Sequence, residues 1–298
     1  MLRILITGAT GNVGKEVINA LHQLPVPLDI IAGVRDIATG GNKPLGRNIS
    51  MIKFDITEPS TFNGAFQNID IMFLLRPPQI SSARKYFKPL IKSAIEAGIK
   101  HIVFLSVQGV EKSSIIPHHT IEKLIVESRI PYTFLRPAYF MQNFTSSLQH
   151  DLVVKNRIFL PAGKARFTMV DARDIGKVAA LVLTNTIQHV NKPYELTCNH
   201  SLTFHEMADK LSDGLGKDIK YISPNLLHFY FTKRKEKIPA MMILVMILLH
   251  YFPRFQKPPS ITDCIALLTG NPPIEFEKFI YDNKSFLNPS LSNQPGTA

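Results

Sequence analysis

Cysteine is scarce in this sequence. The 298 residues include only Cys198 and Cys264, which lie far apart along the chain. Two distant cysteines provide neither a disulfide framework nor the spacing of metal ligands, so we expect no metal site. This cysteine content is typical of a protein in a reducing compartment, and we expect a cytoplasmic location.

Apolar segments long enough to cross a bilayer are not evident either. The apolar run 238–249 follows the basic segment 233–237 and is shorter than the roughly 20 residues that a spanning helix needs. A helix that is apolar on every side is usually buried, so we predict that this run belongs to the core. The alternative is a basic, apolar edge that contacts a membrane or a protein partner. The N-terminal stretch 2–6 is too short for a signal peptide.

Negative charge is in the minority. The chain has 34 Lys and Arg against 23 Asp and Glu, a formal net charge of +11. This balance favours anionic ligands such as dinucleotides. The same charge would help weak contact with nucleic acid or a membrane surface, and we treat both as lesser interpretations.

A strand–turn–helix–strand unit opens the sequence. A predicted strand at 2–7 leads into the glycine-rich turn 8–14. Apolar residues then recur at helical spacing over 13–24, and 29–34 is a second predicted strand. This order is typical of a dinucleotide-binding unit, in which the phosphates contact the turn and the helix start. The alternative is an ordinary tight turn between a strand and a helix.

Three glycines have separate roles in the dinucleotide interpretation. Gly8 allows a tight turn, Gly11 lets a pyrophosphate approach the backbone, and Gly14 lets the helix lie close to the sheet. The free N–H groups and the dipole at the helix start then favour the phosphate charge. We predict that this turn binds the cofactor through Gly8, Thr10, Gly11, Asn12, Val13 and Gly14.

The end of the second strand indicates the type of cofactor. An acidic residue there is typical of NAD sites, whereas an arginine suits the 2′-phosphate of NADP. Arg35 follows the strand directly and Asp36 comes next. A guanidinium can bind a phosphate with two parallel N–H groups, so we predict NADP(H) rather than NAD(H). Asp36 keeps NAD as the alternative, and Arg35 would then be a surface charge.

Predicted strands alternate with predicted helices beyond this unit. Further strands are expected at 51–54, 69–75, 101–106 and 131–135, with helices between them. Such alternation predicts an α/β protein with a doubly wound, parallel Rossmann sheet. We expect the strand order 3-2-1-4-5-6.

Ligands of such sheets bind beyond the carboxyl ends of the strands. This rule places Asp55 and Ile56 beside the adenine, Leu75 and Arg76 near the middle of the cofactor, and Ser106 at its nicotinamide end. For Asp55, capping of a turn is an equal alternative. Arg76 is either a phosphate ligand or a surface charge.

A histidine and a lysine share one face of the next predicted helix. His119 and Lys123 are four residues apart, which is the spacing of the Tyr–Lys pair of short-chain dehydrogenases. We predict that His119 relays a proton and that Lys123 holds the ribose. His118 and Glu122 form a second pair at the same spacing, and an exposed helix start is the alternative for both pairs.

The segment after the sixth strand is rich in aromatic residues. It begins with Pro137, for which we predict a cofactor contact, and we predict substrate contacts for Tyr139, Phe140, Asn143 and Phe144. The alternative is that the aromatic side chains belong to the core.

Several of these segments together resemble the NmrA-like proteins, which are atypical members of the short-chain dehydrogenase/reductase superfamily. The resemblance rests on the glycine turn 8–14, the helix start 118–124 and the segment 132–144, of which the last is the most specific. Residues 170–176 and 261–279 extend it, so that it covers the chain from position 2 to about 286.

The resemblance implies an NAD(P)-binding Rossmann domain and a smaller C-terminal α+β lobe that binds substrate. We assign residues 1–150 to the Rossmann domain, with strands near 166–200 returning to it, 151–287 mainly to the substrate lobe, and 288–298 to a flexible tail. Within the second part, we predict that Asp174 caps a helix at 175–183 and that Thr203 and Glu206 form a capping box.

The family contains two functional classes to which this chain could belong. Some are similar to NADPH-dependent quinone reductases, and others sense the state of NADP(H) and regulate a protein partner without turnover. The sequence lacks the Tyr–Lys pair, but hydride transfer to an electron-poor quinone needs positioning more than a strong acid. We therefore expect an NADPH-dependent reductase of a quinone or similar carbonyl substrate, with the redox sensor as the alternative.

Overall fold

The computed structural model describes residues 1–40, 45, 49–80 and 82–289. The sequence also predicts a loop at 44–48, and this segment and the predicted tail at 288–298 lie largely outside these residues. The described chain folds into two compact units. The first unit consists of Met1–Ala138, Ala172–Thr197 and Thr262–Pro272, and the second of Tyr139–Asp171, Cys198–Ile261 and 273–289. The first unit thus ends before the predicted boundary at 150, and the chain returns to it twice.

The described residues contain twelve strands and thirteen α-helices, which we number in chain order across both units. The strands are β1 Leu2–Thr7, β2 Leu28–Val34, β3 Ser50–Lys53, β4 Ile71–Leu75, β5 His101–Leu105, β6 Tyr132–Pro137, β7 Tyr139–Phe140, β8 Arg157–Phe159, β9 Arg166–Val170, β10 Lys192–Leu196, β11 Ser201–Thr203 and β12 Lys220–Ile222. The helices are α1 Asn12–His22, α2 Ile37–Gly40, α3 Phe62–Phe66, α4 Ala83–Glu96, α5 Pro117–Ser128, α6 Gln149–Lys155, α7 Ala172–Thr184, α8 Phe204–Leu215, α9 Leu226–Lys235, α10 Ala240–Tyr251, α11 Cys264–Thr269, α12 Phe276–Asp282 and α13 Lys284–Leu287.

A seven-stranded parallel sheet forms the centre of the first unit. Its strand order is β10-β6-β5-β4-β1-β2-β3, and every neighbouring pair is parallel. The predicted order of the first six strands and the α/β class are therefore confirmed, and β10 extends the sheet beyond β6. Thr7 pairs with Gly33, and Leu75 pairs with Leu105. Because these pairs stand at or next to strand ends, the carboxyl ends of β1, β2, β4 and β5 meet at one edge.

The inner strands β1, β2, β4 and β5 are mostly apolar and buried because helices cover both faces of the sheet. Ile4, Leu5 and Ile6 in β1 have no exposed surface. On one side α1 packs against α7, where the Cβ of an alanine in place of Gly176 would lie 2.5 Å from the Glu16 carbonyl oxygen. The two helix backbones are thus nearly in contact.

The predicted helix cap at Asp174 is wrong. Helix α7 begins at Ala172, so Asp174 lies inside its first turn and not before it. The Asp174 side chain is buried and pairs with Lys177 at 3.1 Å. A carboxylate in the first turn still favours the helix dipole, which explains why the sequence pattern suggested a helix start close by.

The second unit contains a three-stranded sheet in the order β11-β9-β7 and a two-stranded sheet of β12 and β8. Helices and sheets enclose a separate core that is rich in phenylalanine. The predicted capping box of α8 is confirmed: the Thr203 side chain accepts from the Glu206 N–H, and the Glu206 carboxylate accepts from the Thr203 N–H.

The prediction that the apolar run 238–249 belongs to the core is correct for one side of the run only. Most of the run lies in α10, in which only Ile243, Met246 and His250 are buried. Apolar side chains on its other side are exposed to solvent. In the part of the chain that the structure describes, no helix combines the length and the apolar character needed to cross a membrane.

Candidate functional site

The glycine turn between β1 and α1 is tightly packed at two of its three glycines. Gly8 has a φ of +61°, which is the left-handed region that favours glycine. A Cβ at Gly14 would lie 2.3 Å from the Gly8 carbonyl oxygen and 2.8 Å from the Ala9 Cα. Only glycine allows α1 to start this close to β1. The predicted roles of Gly8 and Gly14 in the turn therefore agree with the observed geometry.

Gly11 faces more open space at the start of α1. A Cβ there would meet only the Gly8 carbonyl oxygen, at 3.2 Å. No side chain caps the helix at this position, and both Gly11 and Asn12 are exposed. An uncapped, exposed helix start offers N–H groups and a positive dipole end to an anion. The turn fits the pyrophosphate of a dinucleotide, which is the group that the sequence predicts here.

A cleft opens beside this turn at the carboxyl edge of the sheet. It is lined by Thr7, Gly8, Thr10, Gly33, Val34, Arg35, Phe54, Asp55, Ile56, Leu75 and Pro77. These residues follow or end β1, β2, β3 and β4, as expected for a ligand site of a parallel sheet. The predicted residues Thr10, Arg35, Asp55, Ile56 and Leu75 are therefore brought together in one place.

Arg35 and Asp36 differ in their surroundings. The Arg35 side chain is exposed in the cleft, and it forms no ion pair with a residue that the structure describes. The Asp36 Oδ1 accepts from the Ala38 N–H at 2.9 Å, so this carboxylate stabilises the start of α2. Of these two residues, Arg35 is thus the one whose charge faces the cleft.

Asp55 has the turn-capping contacts that were one of its two alternatives. Its Oδ1 accepts from both the N–H and the hydroxyl of Thr57, at 2.8 and 2.7 Å. Its own N–H donates to the Thr61 hydroxyl at 3.1 Å. Asp55 therefore fixes the loop after β3, and the neighbouring Ile56, which is buried, supplies an apolar wall of the cleft.

Arg76 is bound within its own loop after β4. Its Nη1 donates to the carbonyl oxygens of Pro77 at 3.3 Å, Pro78 at 3.4 Å and Ile80 at 2.5 Å. Burial lowers the pKa of this guanidinium. These contacts are not those of a free surface charge, and the phosphate contact of Arg76 stays a prediction. They order the loop that carries Pro77 into the cleft.

His118, at the start of α5, carries a buried nitrogen that has no partner. Its Nε2 accepts from the Arg76 Nε at 3.4 Å, and its Nδ1 has no partner among the described residues. Burial, with a smaller contribution from the Arg76 charge, lowers the pKa of His118 to about 3. The ring is therefore neutral near pH 7. Because a neutral imidazole that accepts at Nε2 has its proton on Nδ1, His118 presents an unused N–H donor.

Ser106, directly after β5, is the second such residue. Its side chain is buried and its Oγ lacks a partner within the described chain, while its N–H donates to the Leu135 carbonyl oxygen at 2.7 Å. An unsatisfied buried hydroxyl costs roughly 1–3 kcal/mol. A ligand with a carbonyl or amide group would satisfy it. Ser106 thus stands where a nicotinamide or a substrate oxygen is predicted.

The inward face of α5 carries His118 and Glu122, which is the second of the two pairs that the sequence places at a spacing of four residues. Glu122, one turn after His118, is buried. Its carboxylate accepts from the Arg136 Nε at 3.0 Å and from the Arg136 Nη2 at 2.7 Å. This bidentate pair connects α5 to β6 and holds the helix start against the sheet. The spacing of His118 and Glu122 was the sequence signal for this face.

The predicted His119–Lys123 pair is directed elsewhere. The His119 Nδ1 donates to the Val110 carbonyl oxygen at 3.3 Å. The Lys123 side chain is 63% exposed, and its Nζ lies 3.9 Å from a Glu127 carboxylate oxygen. The two side chains therefore have separate partners, and neither of these partners belongs to the cleft.

The last residue of β6 and the residues that follow it have mixed surroundings. The Pro137 carbonyl oxygen accepts from the Gln108 N–H at 2.9 Å, so a cofactor contact would involve its ring. In the second unit, Phe144 is fully buried and packs on Phe276 with ring centroids 4.9 Å apart. Phe144 is thus a core residue, which was the alternative to its predicted substrate contact. Phe140 and Asn143 are partly exposed.

Tyr139 is part of a hydrogen-bonded chain inside the second unit. Its hydroxyl lies 3.1 Å from the His250 Nε2, and the His250 Nδ1 lies 2.7 Å from the Met246 carbonyl oxygen. A carbonyl accepts only, so Nδ1 carries the proton and Nε2 accepts from Tyr139. Burial lowers the pKa of His250 to about 4 and raises the pKa of Tyr139. Both side chains are therefore neutral near pH 7.

The cysteines and the acidic side chains form no metal centre in the described part of the chain. Cys198 and Cys264 are both free thiols. Nowhere between the described residues do three or more His, Cys, Asp or Glu side chains group as metal ligands would. The polar groups of the candidate site are thus those of the cleft, Ser106 and His118.

Three characterised proteins are similar to this chain over much of their length. Prestalk A differentiation protein A of Dictyostelium discoideum is 27% identical over 296 residues, which cover 99% of this chain and 96% of the relative. The NAD(P)H azoreductase of Xenophilus azovorans is 27% identical over 280 residues, with 93% and 96% covered. Quinone oxidoreductase 2 of Escherichia coli is 27% identical over 222 residues, with 73% and 76% covered.

A solved structure is similar to this chain in its fold. The triphenylmethane reductase of Citrobacter sp. superimposes with a TM-score of 0.80 at 25% sequence identity, covering 94% of this chain and 100% of the reductase. The sequence profile of the NmrA-like family matches residues 2–247. The parallel sheet, the glycine turn and this match over most of the sequence show that the chain belongs to the NmrA-like family.

Proposed function

We propose that this protein is an NADPH-dependent reductase of a quinone or a similar carbonyl substrate. The observation that carries the proposal is the pair of buried, unpaired donors, the Ser106 Oγ and the His118 Nδ1. Ser106 ends β5, and His118 contacts Arg76, which follows the neighbouring strand β4. Both donors therefore belong to the edge of the sheet that carries the glycine turn. A site that only bound the adenine half would not need them.

The cleft residues have distinct tasks in this proposal. The α1 start binds the pyrophosphate, and Ile56 and the other apolar residues of the cleft contact the adenine. A bound nicotinamide would supply the hydride chemistry. Ser106 and His118 orient the reacting groups by donating hydrogen bonds, and His118 does so as a neutral ring. A carbonyl oxygen that gains electrons accepts such bonds more strongly, so the same contacts favour its reduction.

The relatives support a reductase. Two of the similar proteins are named as an NAD(P)H azoreductase and a quinone oxidoreductase, and the similar solved structure is a triphenylmethane reductase. All three names describe reduction of a small organic molecule. We take this shared chemistry, and not any one of these substrates, as the guide for this chain.

The test is the absorbance of NADPH in the presence of a panel of quinones. We expect steady oxidation that depends on both enzyme and quinone, at rates well above the reaction without protein. NADPH binding in the absence of turnover with every quinone and carbonyl tested would contradict the reductase. That outcome would instead support a redox sensor that regulates a protein partner.

Cofactor choice gives a second prediction. In Arg35→Ala, the affinity for NADPH should fall about tenfold or more, because one charge-assisted contact to phosphate is worth roughly 1.5–3 kcal/mol. The affinity for NADH should change little, because NADH lacks the 2′-phosphate. Fluorescence titration with both cofactors measures the difference.

A remote cation provides the matched control for Arg35. Lys92→Ala removes an equally positive side chain that is 76% exposed and pairs with Glu96 on α4. This variant should bind both cofactors as the wild type does. Equal loss of NADPH and NADH in Arg35→Ala, or no loss at all, would remove Arg35 from the 2′-phosphate site.

A further inference from the structure

The outward side of α10 is apolar along its whole length. Met241 is 68% exposed, Leu244 is 47% exposed and Leu248 is 56% exposed. Spacings of three and four residues place these side chains on one face of the helix. The face carries no polar side chain, and no element among the described residues covers it. Soluble proteins rarely expose such a continuous apolar strip without a use for it.

Further apolar side chains are exposed on the two segments that contact α10. Phe252 and Phe255, in the turn after α10, are 51% and 71% exposed, and Phe231 on the adjoining helix α9 is 60% exposed. We call these side chains, together with Met241, Leu244 and Leu248, the α10 surface. Transfer of each of these side chains from water to an apolar phase would lower the free energy.

The exposed charges of the segment that carries the α10 surface have one sign. Between 226 and 259 the sequence contains six lysines and arginines and a single acidic residue, Glu236. Glu236 is occupied by ion pairs with Lys155 at 2.5 Å and with Lys233 at 2.8 Å. Lys233 is itself buried. The exposed charges that remain are Arg234, Lys235, Lys237, Arg254 and Lys257, and all are positive.

A basic cavity is lined in part by residues that come after α10 in the sequence. It has a volume of about 640 Å³, and its lining includes Lys164, Arg166, Ser223 and Arg254. Arg166 is engaged by the Ser201 carbonyl oxygen at 2.6 Å and by Glu206. The Arg254 guanidinium stands over the Tyr251 ring at 5.0 Å, and Lys164 is exposed. The cavity therefore offers at least two cations for a phosphate group.

We propose that the α10 surface binds the surface of an anionic lipid membrane. The helix would lie in the plane of the interface, with Met241, Leu244 and Leu248 among the upper acyl chains and the flanking cations among the headgroups. The basic cavity would take a headgroup phosphate. With twelve residues, α10 fits a helix that lies on a bilayer and not one that crosses it.

Charge argues against a second copy of the chain as the occupant. A symmetric contact would place the same patch on both sides. Each copy would then bring its five exposed cations to the interface, with no exposed carboxylate from the same segment to compensate them. Anionic lipid supplies the opposite charge together with the apolar phase.

Vesicle flotation of the full-length protein tests this proposal. We expect binding to vesicles of phosphatidylcholine with about one third phosphatidylserine, and at least tenfold weaker binding to phosphatidylcholine alone. Raising the salt concentration should weaken the binding, because part of it is electrostatic. Equal binding to both vesicle types, or no binding to either, would overturn the proposal.

Two sets of variants separate the apolar and the basic contributions. Leu244→Asp with Leu248→Asp should reduce binding at least tenfold, and Arg234→Ala with Lys235→Ala should reduce it and flatten its salt dependence. Ile187→Asp is the matched control, because Ile187 is an equally apolar residue with 88% exposure in the first unit, and it should bind as the wild type does. A concentration-dependent dimer in sedimentation velocity that the Leu244–Leu248 double variant abolishes would assign the surface to a second copy and overturn the proposal.

Discussion

Gly14→Ala should strongly weaken dinucleotide binding. The new Cβ would lie 2.3 Å from the Gly8 carbonyl oxygen and 2.8 Å from the Ala9 Cα. Both are backbone atoms, so α1 itself must move away from β1. Overpacking of this kind typically costs about 1–3 kcal/mol of folding free energy, and displacement of the helix start removes the N–H groups from the pyrophosphate. We expect NADPH affinity to fall at least a hundredfold in titration and stability to fall in urea unfolding.

Two other glycines separate binding from folding. In Gly11→Ala the Cβ is 3.2 Å from the Gly8 carbonyl oxygen and the φ of −83° suits alanine, so the fold should be kept while the methyl group obstructs the pyrophosphate. In Gly176→Ala the close contact with Glu16 in α1 should reduce stability without a group entering the cleft. Wild-type NADPH affinity in Gly11→Ala would contradict the proposed phosphate site.

The strand order of the first unit could be predicted because each strand is a short apolar run that ends at a recognisable turn. The glycine turn and the cleft residues after β2, β3 and β4 followed from the same pattern, since parallel strands end at one edge. The boundary of the first unit was less accessible. A return of the chain near 166–200 was expected, but the extent of the returning segment, residues 172–197, depends on the pairing of β10 with β6, which joins segments far apart in sequence.

Sequence periodicity could not identify which side of α5 and of α10 faces the interior. On α5, Glu122 is polar and counts as exposed in any hydrophobic pattern, yet the bidentate contact with Arg136 allows it to be buried. On α10, every side is apolar, so the pattern contains no information about the face that lacks a partner. In both helices the outcome depends on a tertiary contact that local sequence does not encode.

The choice between the two faces of α5 leads to the last prediction. His118→Ala should lower kcat with a quinone by about 10²–10³, which is the usual effect of removing one hydrogen-bond donor from a reacting oxygen. The affinity for NADPH should change far less, because His118 lies at neither the pyrophosphate nor the 2′-phosphate position. Steady-state kinetics and cofactor titration measure the two effects separately.

The pH profile tests the form in which His118 acts. Burial and Arg76 lower its pKa to about 3, below the unperturbed value of about 6.5, so the neutral ring is present throughout the range above pH 5. The contribution of His118 to kcat should therefore be constant between pH 5 and 8, and it would be lost only as the pH falls toward 3. The proton that the reduced substrate takes up must then come from water. An inflection near pH 6.5 that disappears in His118→Ala would contradict the neutral donor.

Conservative and neighbouring substitutions complete the test. His118→Gln keeps an N–H donor and should recover part of the rate that His118→Ala loses. His119→Ala and Lys123→Ala should remain close to the wild type, because their partners are the Val110 carbonyl oxygen and Glu127. The opposite outcome would be that His119→Ala slows turnover by the 10²–10⁴ typical of a general acid and that Lys123→Ala weakens cofactor binding. The outer face of α5 would then carry the catalytic residues. Full activity in all four variants would contradict the proposed role of His118 and would mean that the protein only positions its two substrates.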